Sequence, residues 1–227
     1  MLCWRCQGKF TELYADDMVL LEPAVTALQT LLEVCRADAG PYDIVFNTTK
    51  TVCMLVRPTQ HESGSEMRNL ALSRSFVTQL GHVIAVDCGD DKDIGKQFRR
   101  QNAVGNMLVR KFSLAPILAK LQFFKSYCYL ISECALWRHS YQNSIRILTV
   151  SYRDTFKRLI NVTRCTSSSL AFAMNATDHI NVVLRKSAYS LMSRVPTSSN
   201  SIVTVIVNSD AYHQSALVNK WESMLYV

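Results

Sequence analysis

The spacing of apolar residues changes near residue 88, and this change constrains the fold more than any other feature of the chain. Before it, short apolar runs such as 10–14 and 18–21 alternate with polar turns, a pattern typical of β-strands. After it, apolar residues such as Ile94, Phe98 and Leu108 recur at helical spacing. We therefore predict an α+β fold in which antiparallel strands with a packed helix precede a largely helical part.

The net charge of +7 is distributed unevenly along the 227 residues. Residues 1–91 carry 7 Lys and Arg against 12 Asp and Glu. Residues 92–164 carry 14 basic against 3 acidic residues, and residues 165–227 carry 4 basic against 3 acidic residues. An acidic region followed by a basic one indicates a metal-capable part beside a polyanion-binding part. The alternative interpretation of the basic stretch is a solvated helical face.

Turn and capping residues allow the elements to be placed along the chain. Pro23 and Gly40 suit the start and the end of an amphipathic helix. The predicted strands comprise a hairpin at 10–14 and 18–21, two further strands at 44–46 and 52–56 around a turn at 47–50, and a strand at 76–86 interrupted at Gly81. Helices follow at about 92–112 and from Pro116 to Ile131, and helical character continues to a polar break at 197–200. The tail beyond residue 202 has no clear pattern.

The string Tyr14-Ala15-Asp16-Asp17 carries the strongest chemical signal. Two adjacent carboxylates on a tight turn cannot be buried without a counter-charge, because an unpaired buried anion is very costly. Mg²⁺ is a natural partner, since proteins hold it with one or two carboxylates together with substrate phosphates. A solvated turn is the competing interpretation of the same residues.

From about residue 10 to about residue 203, the chain resembles the C-terminal part of a reverse transcriptase from a non-LTR (LINE-type) retrotransposon. Tyr14-Ala15-Asp16-Asp17 and the apolar residues after it resemble the catalytic hairpin of the palm. Phe46-Asn47 and Lys50-Thr51 resemble the next palm motif, and residues 80–84 resemble the primer-grip hairpin. Positions that resemble the thumb include Asp90, Asp91, Asp93, Ile94, Gln97, Gly105, Asn106, Leu108, Arg110, Lys111 and Phe112.

The resemblance implies roles for the palm residues. Asp16 would be the principal metal ligand and Asp17 would support it, with Mg²⁺ or Mn²⁺ as the cofactor of the complete enzyme. Tyr14 would lie beside the end of the primer. Lys50 would assist the departing pyrophosphate, a role open to a well-placed lysine, although a surface lysine at the start of a strand is an equal alternative.

The resemblance also implies contacts with nucleic acid. The primer-grip segment, with Leu80, Gly81 and His82, would hold the primer backbone. Basic residues of the thumb would contact phosphates and give salt-dependent, sequence-independent affinity; these residues are Lys96, Arg99, Arg100, Arg110 and Lys111. The implied partners of the complete enzyme are an RNA template, a DNA primer and a dNTP.

On this interpretation, residues 1–88 are a partial palm, residues 89–135 a thumb and residues 136–227 a helical extension. In the family, two further parts of the site lie upstream of the catalytic hairpin: a metal-binding aspartate and the segment that positions the nucleotide. In this sequence only 13 residues precede Tyr14. We therefore expect this chain alone to have no RNA-directed DNA polymerase activity.

Two alternatives to a polymerase fragment remain open. The chain can be a catalytically dead remnant that binds nucleic acid through its basic thumb, or a piece of a decayed element without function. No apolar run reaches 18 residues and the first residues lack the apolar stretch of a signal peptide. We therefore expect an intracellular protein, in the nucleus or the cytoplasm, that does not contact a membrane.

Overall fold

The computed structural model describes residues 10–14, 17–56, 76–79, 81–129, 134–137 and 142–225, with the backbone alone described at 10–14 and 17. Contacts divide the chain into two compact units, Met1–Arg74 and Ser75–Val227. The fold is α+β and mostly helical, as predicted. The hairpin at 76–85 belongs to the second unit, whereas the sequence-based scheme grouped it with residues 1–88. The names palm, thumb and extension for parts of this fold stay a prediction.

The first unit begins with an antiparallel hairpin of β1 (Phe10–Tyr14) and β2 (Asp17–Leu21). Its register runs from Phe10 opposite Leu21 to Tyr14 opposite Asp17, which confirms the predicted hairpin. Helix α1 (Val25–Ala39) follows and contacts β2, with Gly40 as its C-cap. A short 3₁₀ turn, Gly40–Tyr42, then leads away from the helix.

The predicted strands at 44–46 and 52–56 are wrong, since these two runs contain no strand and only Cys53 makes an isolated β-bridge. Asp43 has a φ of 53°, which turns the chain just before residue 44, and the side chain of Val45 is 90% exposed. The Asn47 side chain then organises a turn, because its Oδ1 accepts hydrogen bonds from the backbone N–H groups of Thr49 (3.1 Å) and Lys50 (3.2 Å). β-Branched residues favour strands only where neighbouring strands pack against them, and these runs are largely exposed.

The second unit opens with a hairpin of β3 (Phe76–Gln79) and β4 (His82–Ala85). Phe76 pairs with Ala85 and Gln79 pairs with His82, so the connection is a two-residue turn. Gly81 occupies this turn with a φ of 92°, a conformation that costs glycine little and other residues much. The interruption predicted at Gly81 is therefore the turn of a hairpin.

Three long helices build the core of the second unit. They are α2 (Asp91–Lys111), α3 (Ile117–Cys128) and α4 (Gln142–Leu159). The first two confirm the predicted helices, with Pro116 at the N-cap of α3. Side chains that are fully buried in this core include Leu108, Phe124, Leu148, Tyr152 and Phe156. Apolar residues on the inner face of α2 thus leave its opposite face to solvent.

The C-terminal region is helical before the polar break at 197–200, as predicted, and also beyond residue 202, where the sequence pattern was unclear. It consists of α5 (Ser168–Met174), α6 (Ile180–Arg194), α7 (Ser201–Val207), α8 (Asp210–His213) and α9 (Ala216–Leu225). In α9, the buried side chain of Trp221 donates a hydrogen bond from Nε1 to the carbonyl of Ala135 at 2.7 Å. Among the helices of the described residues, none combines the length and the apolar character needed to cross a bilayer.

Candidate nucleic-acid interface

One face of α2 carries four basic residues. At about 100° of rotation per residue, Lys92, Lys96, Arg99 and Arg110 fall within a sector of about 60°. Lys92 and Arg110 are separated by about five turns, or about 27 Å along the helix axis. We call these four residues the basic face.

Two further cations, Arg100 and Lys111, lie beside the basic face and are exposed, as are Arg99 and Arg110. Within the part of the chain that the structure describes, no carboxylate or carbonyl pairs with any of these four exposed side chains. Their charges are therefore uncompensated at the surface, which favours an anionic ligand. All five basic residues singled out from the sequence lie on this side of α2, with Lys96 half-buried.

An open groove of about 400 Å³ separates the β3–β4 hairpin from the first turns of α2. Its lining combines the aromatic Phe76 with cations of the basic face: the residues are Phe76, Thr78, Val83, Asp91, Lys92, Gly95, Lys96 and Arg99. The ammonium of Lys92 lies 5.3 Å from the centroid of the Phe76 ring, a cation–π contact. The Phe76 side chain is 44% exposed, so its ring also remains accessible to a ligand.

A buried carboxylate fastens the hairpin to the helix. Asp93, which is 2% exposed, accepts a hydrogen bond at Oδ1 from the backbone N–H of Val83 (3.0 Å) and one at Oδ2 from Trp137 Nε1 (2.8 Å). His82 Nδ1 lies 3.3 Å from the same Oδ2. Burial raises the pKa of Asp93, but the hydrogen bonds from His82, Trp137 and Val83 outweigh burial and lower that pKa below its usual value. The charged carboxylate therefore fixes the position of β4.

A second tie joins the tip of the hairpin to the basic face. Lys96 Nζ donates a hydrogen bond to the backbone carbonyl of Gly81. Gly81 and His82, both predicted to contact a primer, are thus held against α2, with Gly81 exposed at the turn. Leu80, the third residue of that prediction, lies outside the described residues. The predicted primer-binding segment and the predicted phosphate-binding helix are parts of one local structure.

The predicted catalytic residues lie in the first unit. Tyr14 and Asp17 are paired in the backbone register of the β1–β2 hairpin, and Asp16 lies outside the described residues. Lys50 is exposed at the turn organised by Asn47. Among the described residues, no group of three or more His, Cys, Asp or Glu side chains is placed to bind a metal ion. The roles of Asp16, Asp17 and Lys50, and the divalent metal, stay predictions from the resemblance.

Three residues that shape the groove were missed as site residues from the sequence. Lys92 lies one turn before Lys96, so the spacing of the two lysines could have predicted that Lys92 shares the same face of the helix. Phe76 was assigned to a strand, and nothing in its position indicated that its ring would meet a cation. Trp137 bonds to Asp93 across 44 positions of sequence, a separation that no local pattern can reveal.

Comparison with known proteins assigns the chain to no group: no protein family, no curated protein and no solved structure matches it.

Proposed function

We propose that the second unit binds the backbone of nucleic acid in the groove between the β3–β4 hairpin and α2. The observation that carries this proposal is the attachment of the hairpin to α2 through Asp93 and Lys96. Because of this attachment, an accessible aromatic ring and a row of cations border the same groove. Cations hold phosphates and an aromatic ring stacks on a base or packs on a sugar, a combination typical of sequence-independent binding.

We further propose that the chain is part of an RNA-directed DNA polymerase, on the strength of the ordered resemblance to non-LTR reverse transcriptases. In the complete enzyme, Asp16 and Asp17 would hold Mg²⁺ or Mn²⁺, which would activate the primer hydroxyl and stabilise the leaving phosphates. Lys50 would neutralise charge on the pyrophosphate. The groove would then hold an RNA template paired with a DNA primer, and a dNTP would be the second substrate.

Fluorescence anisotropy with a labelled RNA–DNA hybrid tests the binding proposal. The hybrid should exceed about 10 base pairs, because an A-like duplex rises about 2.8 Å per base pair and that length then spans the 27 Å of the basic face. We expect Phe76→Ala to weaken binding several-fold, since the ring loses its packing against a sugar or against an unpaired base at the end of the hybrid. Arg99→Gln should weaken it by a similar factor through the loss of a phosphate contact.

Arg146→Gln is the matched control, because Arg146 is an exposed arginine on α4 that does not line the groove. Equal binding by the control and by the two groove variants would contradict the proposal. No binding by the unmodified chain would favour the hypothesis of a decayed fragment without function.

The hypothesis of a catalytically dead remnant makes a different prediction from that of a polymerase part. Both hypotheses predict binding of the hybrid, but only a polymerase part would support metal-dependent extension of the primer. Supplying the upstream palm segment of a related polymerase in trans and assaying template-dependent extension would separate them. Extension that is abolished by Asp16→Asn would support the polymerase, and binding without extension would support the remnant.

A further inference from the structure

We infer that the phosphate-binding surface continues from α2 onto α4 through Arg158, a residue that lies outside the predicted thumb. This inference rests on the proposed nucleic-acid binding and extends it to a second helix. The ligand is the phosphodiester backbone of the same nucleic acid that occupies the groove.

Helices α2 and α4 pack side by side through three successive contacts. Ser151 Oγ donates a hydrogen bond to Asn102 Oδ1 at 2.8 Å, and Gly105 lies against Thr155. Arg158 Nη1 then donates a hydrogen bond to Asn106 Oδ1 at 2.9 Å. The contacts advance in the same order on both helices, so the two helices run in the same direction. The C-terminal end of α4 therefore lies beside the C-terminal half of α2.

The hydrogen bond to Asn106 places the guanidinium of Arg158 beside the basic face. Asn106 is one helical turn before Arg110, and residues four apart are neighbours on a helix surface. At about 100° per residue, Asn106 lies about 40° from Lys92 and Arg110. The guanidinium of Arg158 therefore lies near Arg110, at the C-terminal end of the row of cations on α2.

Arg158 retains donors for a ligand. The side chain is exposed, and besides Asn106 its Nε donates to the carbonyl of Asp154 in its own helix at 3.4 Å. A guanidinium has five N–H donors, so about three remain after these two bonds. In the described part of the chain no carboxylate pairs with Arg158. A planar, uncompensated guanidinium with several donors suits bidentate binding of a phosphate.

A purely structural role for Arg158 would be to fasten the two helices together, and the salt dependence of binding separates the two roles. We would measure the association constant for an RNA–DNA hybrid of about 12 base pairs, long enough to span the basic face, from about 50 to about 200 mM salt. For Arg158→Gln we expect weaker binding and a salt slope about one unit smaller in magnitude, because one phosphate contact is lost. Glutamine removes the charge and is about two bonds shorter than arginine, so it also loses the bond to Asn106; Asn106→Ala controls for that loss.

Three variants complete the design. Arg158→Lys should keep the salt slope and lose only affinity, because it retains the charge without the fork of donors. Asn106→Ala should also keep the slope and lose some affinity, since it frees Arg158 without removing its charge. Arg146→Gln removes an exposed arginine from another face of α4 and should leave the slope unchanged. Circular dichroism of each variant confirms that it folds.

Each outcome has a distinct meaning. If the unmodified chain binds the hybrid but Arg158→Gln and Arg146→Gln give the same slope and affinity, the inference about Arg158 is overturned while the proposed function stands. If the unmodified chain does not bind, the proposed function fails and the inference fails with it. Polyglutamate serves as the phosphate-free polyanion, and a similar loss of its binding in Arg158→Gln would contradict recognition of a phosphodiester backbone.

Discussion

Trp137 donates a 2.8 Å hydrogen bond from Nε1 to Asp93 Oδ2, and this bond joins the start of α2 to a residue 44 positions later in the chain. Both partners are buried, at 3% and 2% exposure. Asp93 in turn holds the backbone of Val83, so the bond from Trp137 supports the hairpin that forms one wall of the groove. The groove therefore depends on a contact from the region after α3.

Asp93→Asn tests the importance of this carboxylate. Asp93 accepts from three donors, and an asparagine amide would place an NH₂ group against at least one of them. We expect the free energy of unfolding to fall by about 3 kcal/mol, because hydrogen bonds to a buried charge are lost. Urea unfolding followed by circular dichroism measures this change. Trp137→Phe should cost about 2 kcal/mol, and no loss in either variant would contradict the role of the bond.

Gly105 permits the close approach of α2 and α4. A Cβ added there would lie 2.5 Å from Thr155 Cγ2, whereas at Gly95 on the same helix it would meet only Arg99 Nη1 at 3.8 Å. We therefore expect Gly105→Ala to destabilise the protein by about 1–3 kcal/mol through overpacking. Gly95→Ala should stabilise it by about 0.5–1 kcal/mol, because alanine favours a helix over glycine.

The same variants allow a test of the contact itself. Thr155→Ala removes both atoms that the new Cβ would meet most closely. In the double variant the cost of Gly105→Ala should largely disappear, so the two substitutions should show a favourable coupling of about 1 kcal/mol or more. Thermal unfolding of the four proteins measures this coupling. Additive effects would show that Gly105 is required for another reason.

His179 makes stability depend on pH. Its Nε2 accepts a 2.8 Å hydrogen bond from Arg153 Nε, which requires a neutral ring. Burial lowers the pKa of His179, and the nearby charge of Arg153 lowers it further. The folded state therefore binds fewer protons than the unfolded state, and this contribution is complete above the unfolded pKa of about 6.5 and is lost as the pH falls below it.

His179→Gln keeps an acceptor for Arg153 and cannot be protonated. We expect the free energy of unfolding of the unmodified protein to decline more steeply between about pH 7 and pH 5 than that of the variant. Urea unfolding at several pH values provides the comparison. Parallel pH profiles for the two proteins would rule out this contribution, because His82 and the other titrating groups are common to both.

Polymerase activity should be absent from the chain by itself. On the proposed role as part of a polymerase, Asp16 and Asp17 would bind the metal ions, and the 13 residues before Tyr14 contain no further aspartate that could join them. A primer-extension assay with Mg²⁺ or Mn²⁺ should therefore yield no product, and Asp16→Asn should leave binding of the hybrid unchanged. Template-dependent extension by the unmodified chain would refute this expectation.

Apolar periodicity and turn residues predicted the helices and strands that short stretches of sequence determine by themselves. The helix after Pro23, the helix from about residue 92 and the first hairpin have clear apolar periods and definite turn residues, and the structure confirms them. The strand predicted at 76–86 is instead a hairpin that turns at Gly81, where the interruption was predicted. The β-branched run at 202–207 had no clear assignment because its composition favours a strand. It is helical, and Asn200 caps it by accepting hydrogen bonds from the N–H groups of Ile202 and Val203.

Contacts between distant residues lay beyond sequence reasoning. The basic residues of α2 could be predicted to share an exposed side because helical spacing decides it. The groove could not be predicted, because it depends on the bond between Asp93 and Trp137 and on the tie from Lys96 to Gly81. The strands expected at 44–46 and 52–56 failed for a related reason, since a strand needs neighbours that composition does not specify.

The salt dependence of hybrid binding tests the central claim most directly. If the five cations Lys96, Arg99, Arg100, Arg110 and Lys111 contact phosphates, the logarithm of the association constant should fall with the logarithm of salt with a slope of about −4.5. Arg99→Gln combined with Arg110→Gln should reduce the magnitude of that slope by about 2. A slope near zero, or a slope that the double variant leaves unchanged, would contradict binding of nucleic acid through these five cations of α2.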